Sequence, residues 1–189
     1  NTLQSRGFAE SIDLHFKNRN GFYSWYPLQY FLYEYELELT KNRGQRKIDW
    51  KLFIKNEKDR ITIEHIFPQS EKKDYWKNAF KGYNKNQKHA LKNSLGNLLP
   101  LSASINSSLQ DHSFLDKKKG IIDVNPANSR NGYSNGSYSE IEVSSYKDWN
   151  ADTIKERGLN LLNFMETRWG IKLGNDEDKI RLLHLDSIK

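Results

Sequence analysis

The sequence predicts an α+β fold that is mainly helical, and three observations predict it. Apolar residues recur at helical spacing over residues 1–20, 22–40 and 150–169. A β-branched run, Ile61-Thr62-Ile63, carries Glu64 and His65 and stops at Pro68. A short apolar run at 98–101 suits a second strand, and residues 102–110 after it read as a helix with Ser102 or Ser104 as N-cap.

The elements follow in order. In residues 1–20, Phe8, Ile12 and Phe16 share a helix face with Ala9, and residues 18–21 break the pattern. His15 lies near that stripe and reads as structural. Residues 22–40 read as one helix. Tyr23, Tyr26, Tyr30, Tyr33 and Leu37 form a stripe that Trp25, Leu28, Phe31, Leu32, Tyr35 and Leu39 widen. So wide an apolar surface suits a core helix, or a docking face for a missing domain. Pro27 is tolerable in a first turn, and Asn42-Arg43-Gly44 supplies the stop. Residues 45–60 are polar around Ile48, Trp50, Leu52, Phe53 and Ile54, a loop and short helix leading into the strand. Trp76, Ala79 and Phe80 predict a short helix that Gly82 ends. Residues 123–139, rich in Asn, Ser and Gly, are expected as a long surface loop, with a β-like patch at 141–143. Asn150 is the expected N-cap of the helix whose apolar face is Ile154, Leu161, Leu162 and Met165. One more short element is expected around Ile180, Leu182, Leu183 and Leu185. No repeat or linker divides the chain, so a single domain over 1–189 is expected.

Composition narrows the function. Thirty Lys and Arg against 24 Asp and Glu give a net charge of +6, with a pI near 9.3. That balance favours polyanionic partners. The absence of cysteine excludes disulfides, thiolate zinc sites and cysteine nucleophiles, and it fits a cytoplasmic location. No stretch approaches the roughly 20 apolar residues of a membrane span. The chain starts at Asn1 without an initiator Met or a signal-peptide core, which suggests a piece of a longer protein. Lys72, Lys73, Lys77, Lys81, Lys85, Lys88 and Lys92 punctuate residues 71–93, as a solvated basic face or a phosphate-contacting surface.

Phosphodiester cleavage needs an activated water, charge stabilisation at the phosphate and help for the leaving oxygen. An imidazole such as His65 can take the proton, and oxygen donors such as Glu64 and Asn106 suit magnesium. Neighbouring strand residues point to opposite faces, so Glu64 and His65 reach one site only where the strand ends or twists. Pro68 makes such an end plausible.

Glu64-His65-Ile66-Phe67-Pro68, followed by Asn97-Leu98 and then Asn106, resembles the HNH, or His-Me finger, nuclease motif. A closer resemblance is to the C-terminal HNH domain of GmrSD-type restriction enzymes. It is carried by Ile63 to Ile66, Pro68-Gln69, Leu95-Gly96-Asn97-Leu98, Leu101, Asn106, Phe114 and Lys117-Lys118. Tyr33-Glu34 and Glu36 upstream, and Trp149, Ile154, Arg157 and Leu161 downstream, extend it over roughly residues 22–169. The resemblance implies a ββα-metal core at about 60–119 between helical flanks at 8–58 and 150–189. It implies His65 as general base, Asn97 bracing the loop and orienting the histidine, and Glu64 and Asn106 holding Mg2+ or Mn2+. Glu64 stands where the family often has Asp, which leaves a supporting role open to it. Gln110, four residues after Asn106, faces the same way and has a water-mediated or a surface role. Lys117, Lys118 and Lys119 are expected to clamp phosphates, with at least one of them simply solvated, beside Lys72, Lys73 and Lys88 of the basic stretch. His89, His112 and His184 match no ligand position and are expected to have surface roles.

The implied activity is metal-dependent cleavage or nicking of double-stranded phage DNA in a bacterial restriction system. The implied partner is an N-terminal nucleotide-hydrolysing sensor domain of the same protein. The alternatives are a DNA-binding module with a silent site, and an interaction domain docking through the aromatic helix.

Overall fold

In the computed structural model the described residues are 2–41, 43–51 and 60–188. Along the chain they form α1 (Thr2–Asn18), α2 (Leu28–Thr40), β1 (Ile61–His65), α3 (Asp74–Ala79), α4 (Lys85–Asn93) and β2 (Leu98–Ser102). Next come α5 (Ala103–Leu109), α6 (Phe114–Lys119), β3 (Gly120–Ile121), β4 (Arg130–Asn131) and α7 (Tyr138–Ser144), then α8 (Ala151–Trp169) and α9 (Asp176–Leu182). The fold is α+β and mainly helical. Among the described residues, β1 pairs with β2 and β3 with β4, in short antiparallel sheets. No helix of the described residues is long and apolar enough to cross a membrane.

The chain divides into two compact units. The first takes Asn1–Leu28, Asn78–Leu98 and Asn150–Lys189, and the second takes Gln29–Lys77 and Leu99–Trp149. Residues 60–119 are therefore shared between the two.

The first unit is built on α8. Asn150 accepts from Thr153 N–H and Thr153 returns the bond, a capping box that starts the helix; Gly170 ends it at φ 62°. The helix buries Ile154, Leu161, Leu162 and Met165, and each such side chain stabilises the unit by roughly 1.5–3 kcal/mol. The turn Leu95–Asn97 lies against it so closely that a Cβ on Gly96 would sit 1.9 Å from Ile154 O. Arg157, buried in α8, donates to Gly96 O at 2.8 Å and Leu98 O at 2.9 Å. These bonds fix where β2 begins. On α1, Ile12 is fully buried, and Phe16 stacks on His184, which meets Asp13 at 2.8 Å.

In the second unit, Phe31, Leu32, Tyr33 and Tyr35 of α2 are buried. Tyr33 and Ile48 pack with Ile61, with Leu37 and Trp50 alongside, so β1 starts on an apolar seat. Across the sheet, Ala103 N–H donates to Arg60 O at 2.9 Å and Thr62 Oγ1 to Leu101 O at 3.1 Å. Ser102 then caps α5 through Ile105 N–H. Trp76, fully buried, donates to Asp111 O and His112 O and packs on Phe67, which ties the chain leaving β1 to the start of α6. In the β3–β4 hairpin, Gly120 sits at φ 85°, where a Cβ would meet Arg130 O at 2.3 Å.

Several expectations are corrected. The helix expected from residue 22 begins at Leu28, after a 3-10 turn at Gly21–Ser24. Pro27 disfavours helical backbone at Tyr26, so the helix cannot start earlier. Tyr26 is fully exposed and Tyr23 and Tyr30 partly so, while Phe31, Leu32 and Tyr35 form the buried stripe. A second helix, α4, occupies part of the basic stretch because Asn84 and Gln87 form a capping box. The expected β-like patch at 141–143 lies in α7, started by the Ser137–Glu140 capping box. The expected surface loop at 123–139 holds β4, and its Tyr133, Ser137 and Ser139 are buried. Leu52, Phe53 and Ile54, with the short helix expected there, and Asn42 of the expected stop lie outside the described residues.

Candidate active site

The site is built where β1 ends. Glu64 and His65 are its last two residues, and both are buried. The Glu64 carboxylate faces the ammonium of Lys117 on α6, with Nζ 2.5 Å from Oε1. Tyr133 OH donates to the same oxygen at 3.1 Å. Lys117 Nζ also donates to Ile66 O at 3.1 Å and His65 O at 3.4 Å, and it lies 5.8 Å from the Trp76 ring centroid. Burial pushes the Glu64 carboxyl above its usual range, against the pull of Lys117, Tyr133 and the His65 N–H.

Gln69 Nε2 lies 3.4 Å from both ring nitrogens of His65. Which of the two accepts the amide N–H depends on the tautomer of the ring. From α5, Asn106 Nδ2 donates to Thr62 Oγ1 at 3.0 Å and Ile63 O at 3.5 Å. The amide nitrogen is thus spent on β1, and Oδ1 is the atom left to ligate a cation. Two strands and the helix after them therefore bring Asn106 onto the strand that carries His65, across 41 residues of chain.

The family of GmrSD restriction endonucleases, C-terminal domain, matches residues 9–164. The chain belongs to that family. Membership carries a restriction-endonuclease role, a hydrolase activity and DNA as substrate. No curated protein and no solved structure matches the chain.

Every residue expected at the site falls within the matched span, yet the structure treats them differently. Asn97 is fully buried and donates to Lys92 O at 2.9 Å, bracing the turn that opens β2 against the end of α4. Lys72 and Lys73 are exposed ahead of α3, and Lys88 is half-buried on α4. Lys117 is corrected: a fully buried ammonium cannot clamp a phosphate. Lys118 is half-buried, and its ammonium is bonded to Tyr146 O at 2.8 Å. At Glu64, Oε1 already meets the Lys117 ammonium and the Tyr133 hydroxyl. Tyr133 was missed altogether, and nothing in its Asn-, Ser- and Gly-rich surroundings points to it. Gln69 stood only as a motif neighbour, with no role.

Proposed function

We propose that the chain is a metal-dependent DNA endonuclease or nickase of the HNH, or His-Me finger, type, with His65 as general base. The observation that supports this most is the bond from Asn106 to β1, which sets an amide oxygen beside the histidine strand in a β1–β2–α5 arrangement. On this reading the three elements are the ββα-metal core. His65 takes a proton from water, the water oxygen attacks the phosphorus, and the bond to the leaving sugar oxygen breaks. Gln69 lies against the imidazole, and Asn97 keeps the turn before β2 in place.

Among the described residues, no group of three His, Cys, Asp or Glu side chains could hold a metal. Asn106 Oδ1 would hold a hydrated Mg2+ or Mn2+ as one ligand among waters, rather than within a self-sufficient protein cage. Such an ion, when bound, stabilises charge on the phosphate and the leaving oxygen. Lys72 and Lys73 contact the DNA backbone, with Lys88 contributing from its own unit. The biological role is cleavage of phage DNA in the bacterial cytoplasm, under an N-terminal nucleotide-hydrolysing sensor domain.

A second reading is a DNA-binding module with a silent site. The Glu64–Lys117 pair favours it, because it occupies one oxygen of an expected ligand. Supercoiled plasmid with and without Mg2+ separates the two. Mg2+-dependent product from the wild type, lowered at least about 100-fold by His65→Ala, supports the nuclease. Salt-sensitive binding with no product supports the module, and full activity of His65→Ala removes His65 as base.

A further inference from the structure

Among the described residues of the second unit Lys117 is a fully buried cation, and desolvating an ammonium costs several kcal/mol. Well-packed apolar residues commonly replace such buried pairs without loss of stability. What an apolar side chain cannot replace is the set of acceptors. The three N–H groups of Nζ meet three oxygens, from Glu64, His65 and Ile66. These belong to three consecutive residues at the point where β1 stops. Holding the two carbonyls fixes the peptide planes after His65 and after Ile66, and holding the carboxylate fixes the residue before them. The direction of the His65 Cα–Cβ bond follows from that backbone. The Trp76 ring lies 5.8 Å from the ammonium, Tyr133 OH holds the facing carboxylate, and full burial of the lysine shields it from water that would replace these oxygens.

We infer that Lys117 is a positioning residue for the proposed base, its ammonium aiming the His65 imidazole by gripping Glu64 and the carbonyls of His65 and Ile66. The inference rests on the reading of His65 as base and adds what sets its direction. Lys117 itself touches neither substrate nor the reacting atoms.

The chain has no cysteine, so Lys117→Cys introduces a unique thiol. Alkylation of the denatured variant with 2-bromoethylamine restores a lysine-like ammonium, and iodoethane gives a neutral control. Both refolded forms are compared with the double variant Glu64→Gln/Lys117→Met and with His65→Ala. The measurements are the thermal melt and the kcat and KM of Mg2+-dependent plasmid nicking.

The aminoethyl form is expected to regain kcat. The neutral forms are expected to melt cooperatively with kcat down about 10- to 100-fold and KM changed less than about 3-fold. Wild-type kcat in a folded neutral form overturns the positioning role. So does a loss carried by KM alone, an aminoethyl form as slow as the ethyl one, or failure of every neutral form to fold, which would make the ammonium a stability device. If His65→Ala cleaves like the wild type, or the wild type does not cleave, the nuclease reading itself fails, and the positioning claim with it.

Discussion

Glu64 and Glu140 are both buried carboxylates of the second unit, and their surroundings differ in kind. Glu64 meets an ammonium and a phenol. Glu140 meets backbone and a like charge. Its Oε2 accepts from Ser137 N–H at 2.8 Å, and its Oε1 has no hydrogen-bond partner among the described residues. Nearby Glu36 spends its own carboxylate on Tyr138 N–H, Ser139 N–H and the Ser139 hydroxyl, holding the start of α7. Burial pushes the Glu140 carboxyl up to about 7; the Ser137 bonds oppose this, Glu36 reinforces it and Lys47 opposes it. The comparison teaches that burial raises both carboxyls, while only the Glu64 corner invests a second buried charge to hold the carboxylate. That corner adjoins the proposed base, and the Glu140 corner caps a helix.

The largest expected effect tests that asymmetry. Lys117→Met leaves Glu64 buried without its cation and should cost about 3–5 kcal/mol, read from urea unfolding. Glu64→Gln/Lys117→Met should recover most of it. If the single variant is as stable as the wild type, the ammonium does not hold the carboxylate.

Next is Glu140→Gln, where the sign runs the other way. The folded-state pKa of Glu140 is raised, so its contribution is fully present below the unfolded value of 4.5 and is lost as pH rises through about 7. Removing the titration should therefore stabilise the protein at pH 8, by up to about 3 kcal/mol. The gain should vanish near pH 4.5. An equal gain at both pH values would mean that packing, not charge, is responsible.

The smallest effect sharpens the Glu64 side. Tyr133→Phe removes one donor to a charged group and should cost about 1.5 kcal/mol, with the Lys117 bonds intact. A loss matching that of Lys117→Met would mean that Tyr133, rather than the ammonium, holds the corner.

Legibility followed how local each signal is. The helices after Ser102 and Asn150 announce themselves because a cap and its partner lie within three residues. The same signature stands at Ser137 and Glu140 beside the β-branched Ile141 and Val143, and the reciprocal cap is the stronger local constraint. Which lysine of 117–119 goes inside was half legible. Phe114 and Lys117 stand three apart and share a helix face, so burial of one carries the other inward. That Lys117 would find Glu64 was not legible, because 53 residues separate them. Nor was Tyr133, which no periodicity marks.

By itself the sequence determined the helical majority, the strand that ends in His65, the helix that carries Asn106 and the family, because spacing, capping and motif are properties of near neighbours along the chain. Only the tertiary structure decided that Asn106 bonds to β1 while Glu64 turns to Lys117 and Tyr133. A buried charge is settled by whichever partner the fold brings within hydrogen-bonding distance, and that distance is not written in any local stretch.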